Sequence, residues 1–165
     1  MSQYQQKYWS LLRELKTHVI YLHGYAASSE WWDKSINISL AITSSTSIAA
    51  WAVWQEYQII WAIIIALSQV ITAIKPFLPF RQRLKPISDL NDLMQEISLE
   101  CEKHWFVVAE GELTEKEIHD LYISLKDKSL KAEKKALKDI VLPKQGKILM
   151  RAEKEADHYL TNTYH

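Results

Sequence analysis

Few side chains in this sequence stand at spacings that catalysis could use, and each such spacing has a plainer reading beside it. Cys101 and His104 lie three residues apart, close enough on a helix to serve as nucleophile and base. No orienting third group or strained turn accompanies them, and a packed core cysteine is the plainer reading. Glu155-x-x-His158 reproduces half of the carboxylate–imidazole pattern of di-iron bundles, which need two copies and further glutamates. His18 and His23 are five apart, off the three- or four-residue step that puts two groups on one helical face. The sequence has no glycine-rich phosphate loop, no nucleophile elbow and no zinc-type Cys/His pairing. The expectation is a protein that is not an enzyme and that uses neither metal nor cofactor.

The chemistry that remains is electrostatic. Asp89 to Asp120 holds ten acidic residues against Lys103 and Lys116, whereas Lys126 to Lys154 holds ten basic residues against Asp127, Glu133, Asp139 and Glu153. Lys128, Lys131, Lys134, Lys135, Lys138, Lys147 and Arg151 form a candidate anion site. Lysine ammonium groups are point charges on flexible stems, suited to phosphates and not to reading base edges. The ligand class this implies is a nucleotide or short oligonucleotide. The competing reading has the acidic and basic helices facing one another or the solvent.

Helices must position these groups. Tyr4, Tyr8, Leu11, Leu15, Val19, Leu22 and Ala26 recur at steps of three and four, which predicts an amphipathic helix from about Gln3 to Ala27. Glu30 to Lys34 then reads as an interfacial collar. Near the middle of the chain, Ser88 or Asp89 is expected to cap a helix that buries Leu90, Leu93, Met94, Ile97, Cys101, His104 and Val108. Gly111 should stop that helix, since glycine tolerates the left-handed turn after a helix C-terminus. Thr114 and Glu117 have the spacing of a capping box, in which each side chain satisfies a free amide of the other. The helix they open carries Ile118, Leu121, Tyr122 and Leu125, and a last one is expected from Lys147 to about Tyr159.

Everything else is arranged around an uncharged middle third. Ser35 to Gln55 contains 21 residues without a formal charge, Glu56 interrupts, and Tyr57 to Ile74 gives 18 more. As helices these would extend ~31 and ~27 Å, against a hydrocarbon core of ~30 Å. The connection is short, so the two must lie antiparallel. Trp51, Trp54, Tyr57 and Trp61 cluster at the turn, and Trp31 and Trp32 mark the other end, as interfacial aromatic belts do. The turn lacks Lys and Arg, while Lys34 precedes the hairpin and Lys75, Arg81, Arg83 and Lys85 follow it. By the positive-inside rule both termini are cytoplasmic. A buried hairpin in a soluble bundle is the competing explanation, because such a helix is also apolar all round.

The first segment carries Asn37 and seven hydroxyl residues. Ser39, Thr43, Ser47 and Ala50 share one helical face, Ala41, Ser45, Ala49 and Ala52 a neighbouring one, and Ala62, Ala66, Gln69 and Ala73 form a stripe on the second segment. Small residues let helices approach closely in lipid. They make either the hairpin's own seam or, for Ser39, Thr43, Ser47 and Gln69, the lining of a pore between copies in a homo-oligomer. Pro76, Pro79 and Pro86 predict a stiff linker over Lys75–Pro86. Phe77 and Phe80 would stand at the cytoplasmic mouth, as a gate or as interfacial anchors.

The totals agree with this division. The 165 residues suffice for a hairpin plus one lobe, giving three regions: 1–34, 35–80 and 81–165. Twenty basic and twenty acidic residues balance, so net charge points to no partner. A mean hydropathy of −0.19 averages an apolar third with charged flanks. Three glycines and four prolines argue against a turn-rich β fold, and one cysteine excludes an internal disulfide. The expected class is all-α.

The order of these parts, with Tyr21 to Ala27 (YLHGYAA) leading into a tightly connected two-span hairpin, a proline-broken basic exit and a helical tail, resembles the SMODS- and SLOG-associating two-transmembrane effector (SLATT) family. The resemblance covers roughly Trp9 to Leu99. It implies a pore-forming effector in bacterial anti-phage defence, tetrameric or close to it, controlled by a nucleotide that a partner nucleotidyltransferase makes. The Lys-rich extension after Asp120 departs from that pattern and would be the sensor. A ligand that prefers the open state opens such a channel, and one that prefers the closed state holds it shut. The alternative is a helical adaptor that the hairpin merely anchors to the membrane.

Overall fold

The computed structural model describes residues 1–53, 58–78, 80–138 and 140–164, with side-chain surroundings for all of these except 43–53, 58, 61, 80 and 81. The protein is all-α: helix accounts for 90% of it, and there is no strand among the described residues. Five helices follow one another: α1 (Gln3–Val53), α2 (Gln58–Ile74), α3 (Phe80–Glu110), α4 (Glu115–Ala136) and α5 (Gly146–Tyr164), with a 3₁₀ turn at Lys75–Phe77. The contacts divide the chain into two units, one of residues 1–27 and 85–165, the other of residues 28–84.

In the first unit four helical segments share one core. Tyr8, Leu11, Leu12, Leu15, Leu22 and Tyr25 of α1 are buried with Ile87, Leu90, Met94, Cys101 and Val108 of α3, Ile118 and Leu125 of α4, and Leu160 of α5. The three-and-four spacing on each helix is what turns these residues to one side. Polar pairs fix the directions. Gln5 Nε2 donates to the Val108 carbonyl at 2.8 Å and Lys16 Nζ meets Glu102 at 2.8 Å, so α1 and α3 run antiparallel. Trp9 against Tyr164 and Arg13 against Asp157 place α5 antiparallel to α1 as well. Tyr4 beside His119 and His18 beside Glu133 make α4 parallel to α1. α4 is therefore antiparallel to α3, and Lys128 on Glu100 ties the two together.

The boundaries follow local chemistry. Gly111, at φ +75°, ends α3 in a Schellman turn, with its N–H on the Val108 carbonyl and that of Glu112 on the Val107 carbonyl. Thr114 and Glu117 form the reciprocal capping box that opens α4. Two expectations need correction. Lys75–Pro86 is not one stiff linker: only the turn at Lys75–Phe77 and the Leu78 region interrupt the helix, and α3 starts at Phe80 with Pro86 inside it. A proline this near a helix N-terminus forfeits one bond, to the residue-82 carbonyl, and the rest of the helix continues. Ser88 and Asp89 are consequently interior residues and cap nothing. Nor is there a break at the collar, because α1 passes through residues 27–35 without interruption. Two ties at i,i+4 spacing support that passage: Lys34 on Glu30 at 2.6 Å, and Asn37 Nδ2 donating to Asp33 Oδ2.

The second unit contains the end of α1, α2 and the 3₁₀ turn. Lys75 Nζ donates to Asn37 Oδ1, pairing the base of α1's last stretch with the end of α2. Asn37 to Val53 and Gln58 to Ile74 are each 17 residues. Among the described residues no single helix is long and apolar enough to cross a membrane. The hydroxyl groups dilute α1, and α2 is short. Residues 82–110 add no span, since α3 carries Asp89, Asp92, Glu96 and Glu100 and buries Leu90 and Met94 in the first unit.

Candidate functional site

The first unit has a cleft of about 630 Å³ built mainly on α1. Ser10, Arg13, Glu14, Thr17, His18 and Tyr21 line it at helical steps, one strip over from the buried stripe. Leu90, Leu137, Leu142 and Leu149 supply an apolar wall, and Glu133, Lys144 and Glu153 add charge. Tyr21 Oη accepts from the Gln145 amide at 3.1 Å, holding the connector after Pro143 against α1. His18 Nδ1 lies 3.7 Å from Glu133. Burial lowers the His18 pKa below its ordinary value, and Glu133 and Glu14 oppose that only in part. The imidazole is thus held neutral in a cleft where three carboxylates outnumber Arg13 and Lys144. Arg13 is itself committed to Asp157 through both guanidinium contacts. Such a site suits an apolar body with a hydrogen-bonding or cationic end and disfavours a polyanion.

None of the residues assigned to anion binding lines this cleft. Lys128 is bonded to both Glu100 oxygens, Lys131 pairs with Asp127, and Arg151 pairs with Glu155. Lys134, Lys135, Lys138 and Lys147 are exposed and pair with no acid among the described residues. The structure thus splits the set, with three residues neutralised within the chain and four left to solvent around the end of α4 and the start of α5. The opposition of acidic and basic helices accounts for Lys128 alone.

In the second unit Ser39 and Gln69 are exposed, while the side chains of Thr43 and Ser47 lie outside the described residues. The Ala62, Ala66, Gln69, Ala73 stripe is exposed along its length, and it is Ile64 and Ser68, on the opposite face of α2, that are half-buried. The α2 stripe is therefore not part of the hairpin's seam. Ser68 and Thr72 each donate to the carbonyl four residues back, which spends their hydroxyls locally. Phe77 is 83% exposed in the 3₁₀ turn, and the Phe80 side chain lies outside the described residues.

The pairs that looked catalytic have other partners. Cys101 is fully buried, and burial pushes its thiol up to about 12, far from a thiolate at neutral pH. His104 Nδ1 bonds to the Glu100 carbonyl of its own helix. Glu155 holds Arg151, and His158 Nε2 bonds to Asn162. No three His, Cys, Asp or Glu side chains come together as a metal set among the described residues.

Comparison with protein-family models, with curated proteins and with solved structures gave no match. The functional reading thus rests on the residues themselves. The cleft is what sequence reasoning missed. Its signal was the polar run at positions 10, 13, 14, 17, 18 and 21 alongside an apolar stripe, a pattern that also describes an ordinary solvated face.

Proposed function

We propose that this chain is a membrane-spanning, pore-forming effector of the kind the SLATT resemblance implies, acting in a nucleotide-signalling anti-phage system at a bacterial inner membrane. The observation that carries this reading is the coat of α2. Ile59, Ile60, Ile63, Ile65, Leu67, Val70, Ile71 and Ile74 are all exposed, with Ile59 at 78%. So continuous an apolar surface, covered by no other part of the described chain, belongs in lipid or against other copies. Alone, the 17 residues of α2 rise ~26 Å, short of a ~30 Å core, and only with the ~6 Å of the 3₁₀ turn does the segment reach it. Lys75 would reach back to the headgroups.

In this reading the hairpins of a homo-oligomer, tetrameric or near it, enclose an ion path lined by Ser39, Thr43, Ser47 and Gln69, with Phe77 and Phe80 at its cytoplasmic mouth. The exposed α2 stripe with Gln69 is the face available to neighbouring copies. Both termini are cytoplasmic. A nucleotide or short oligonucleotide from a partner nucleotidyltransferase acts on the lysines at the end of α4, of which Lys134, Lys135, Lys138 and Lys147 are uncommitted. Two sites of opposite character are thus on offer, and the acidic cleft is the poorer one for phosphate.

A second reading, a membrane-anchored adaptor without a pore, draws support from Lys128, Lys131 and Arg151 already being paired inside the chain. Purified protein in liposomes separates the two. The effector releases entrapped potassium in response to some member of a mono-, di- and trinucleotide panel, and charge reversal at Lys134, Lys135 and Lys138 abolishes the response. Vesicles that stay tight throughout, with the protein inserted, leave the adaptor. Protein that leaves the membrane in alkaline carbonate overturns both.

A further inference from the structure

The cleft on α1 has no part in the proposed function, and its two ends differ in character. Three of the helices that form it sort carboxylates to one end and leucines to the other. On α1, Glu14 and His18 precede Leu22 by two turns and one, and on α4 Glu133 precedes Leu137 by one turn. On α5 the order is reversed, Leu149 preceding Glu153 by one turn. Because α4 runs parallel to α1 and α5 antiparallel, the three gradients point the same way. Contacts between the helices set the levels: His18 beside Glu133, Arg13 on Asp157 and Gly24 against Ile148. Glu133 and Glu153 therefore stand near the level of Thr17 and His18, and Leu137 and Leu149 near that of Tyr21 and Leu22.

The acidic end has acceptors to spare. Asp157 holds Arg13 through both guanidinium contacts, and Lys126 lies 4.0 Å from Glu14. Glu133 meets only His18, at 3.7 Å, too long for a hydrogen bond. Glu153 forms no ion pair among the described residues. Burial keeps the His18 ring neutral, so one of its nitrogens is an acceptor too. Lys144 is exposed on the connector, at the leucine end, where its flexible stem leaves the ammonium in water.

We propose that this cleft binds a small organic amine, its ammonium group held by Glu133, Glu153 and the His18 ring and its hydrocarbon body laid on Leu137, Leu142 and Leu149. An ammonium brings three donors and no acceptor, which matches two carboxylates and a neutral imidazole. A phosphate or carboxylate head would meet acceptors alone at this end, and an alcohol would satisfy one of them and leave the others bare. The volume, about 630 Å³, lies within the range of small-molecule sites. This inference goes beyond the proposed function and depends on neither its pore nor its nucleotide, since Lys134, Lys135, Lys138 and Lys147 lie outside the cleft.

Calorimetric titration of the full-length protein in detergent tests this with hexylamine, hexanol and hexanoate, which share one hydrocarbon chain and differ in the head. Heats are read against protein-free micelles. Hexylamine is expected to bind at one site per chain, several-fold more tightly than hexanol, with hexanoate weakest. Glu133→Gln should weaken hexylamine several-fold and leave hexanol unchanged. Leu142→Ala should weaken both, and Glu110→Gln, at the far end of α3, should alter neither. In NMR spectra hexylamine should move the ring signals of His18 and not those of His104, which is tied to its own helix. Equal affinity for amine and alcohol would mean that only the apolar wall binds, and it would overturn the proposal. Tighter binding of hexanoate, an unchanged amine affinity in Glu133→Gln, or no amine binding by protein with a native helical spectrum would overturn it as well.

Discussion

Gly24 on α1 and Ile148 on α5 approach so closely that a Cβ at position 24 would lie 2.9 Å from Ile148 Cγ2. That methyl sits on a β-branched side chain with one favoured rotamer in a helix, so it cannot swing aside. Gly24→Ala gains up to ~1 kcal/mol of helix propensity but incurs ~1–3 kcal/mol of overpacking. A net loss of about 1 kcal/mol is expected. The same change made together with Ile148→Ala should be neutral or stabilising, as chemical denaturation of the four variants would show.

Two ion pairs on α3 should differ in weight. Lys16 and Glu102 are 21% and 14% exposed, Tyr159 Oη also donates to Glu102, and the Lys16 ammonium lies 3.7 Å from the Tyr159 ring centroid. Lys128 and Glu100 stand 47% and 37% exposed. Glu102→Ala strands a half-desolvated ammonium and should cost ~2–3 kcal/mol, whereas Glu100→Ala should cost at most ~1 kcal/mol. Equal losses in urea titrations would refute the ranking.

Ser98 is buried on α3, and its Oγ has no hydrogen-bond partner among the described residues. An unsatisfied hydroxyl costs ~1–3 kcal/mol, and alanine is also the better helix former. Ser98→Ala is therefore expected to raise the thermal midpoint. A lower midpoint would mean that the hydroxyl holds a bound water.

His18 should make stability fall on acidification. Its folded pKa is lowered, mainly by burial, so the unfolded chain binds the proton more readily. Stability is complete above the unfolded value of ~6.5 and declines as the pH drops through it towards the lower folded value. His18→Gln should flatten the melting-temperature profile between pH 7 and pH 5, leaving the carboxylate-dependent loss below that range in place.

Leu67 on α2 distinguishes lipid from water. It is 58% exposed, and at such a position on a soluble protein Leu67→Asp would change stability by no more than ~0.5 kcal/mol. In a membrane span the aspartate costs ~2.5–3.5 kcal/mol. The variant should therefore fail to resist carbonate extraction where the wild type does. Equal retention of the two would place α2 outside the bilayer.

The helices and the core of the first unit were legible because their signals are local. Tyr8, Leu11, Leu15 and Leu22 repeat at the helical period, and Gly111, Thr114 and Glu117 are punctuation whose geometry depends on neighbours a few residues away. Pro86 misled because a proline near a helix N-terminus forfeits one bond, whereas the same residue deeper inside would break the helix. The run through residues 27–35 was missed because aromatic and charged side chains look like a boundary, while Glu30–Lys34 and Asp33–Asn37 ties hold a helix together. The cleft joins residues 10–22 to residues 133–153, a juxtaposition that depends on α1 and α4 running parallel. Periodicity along either helix says nothing of that direction.

The bond from Lys75 to Asn37 ties the end of α2 to α1, which restricts how these two arms of the second unit can change in length. One residue added to either arm alone would carry Lys75 ~1.5 Å along and ~100° around its axis, out of reach of Asn37. Lengthening the pair would therefore demand matched insertions, about seven residues on each side so that the facing surfaces keep their orientation. Chains that diverge from this one should then vary in length by paired steps, with the two arms drifting together or not at all.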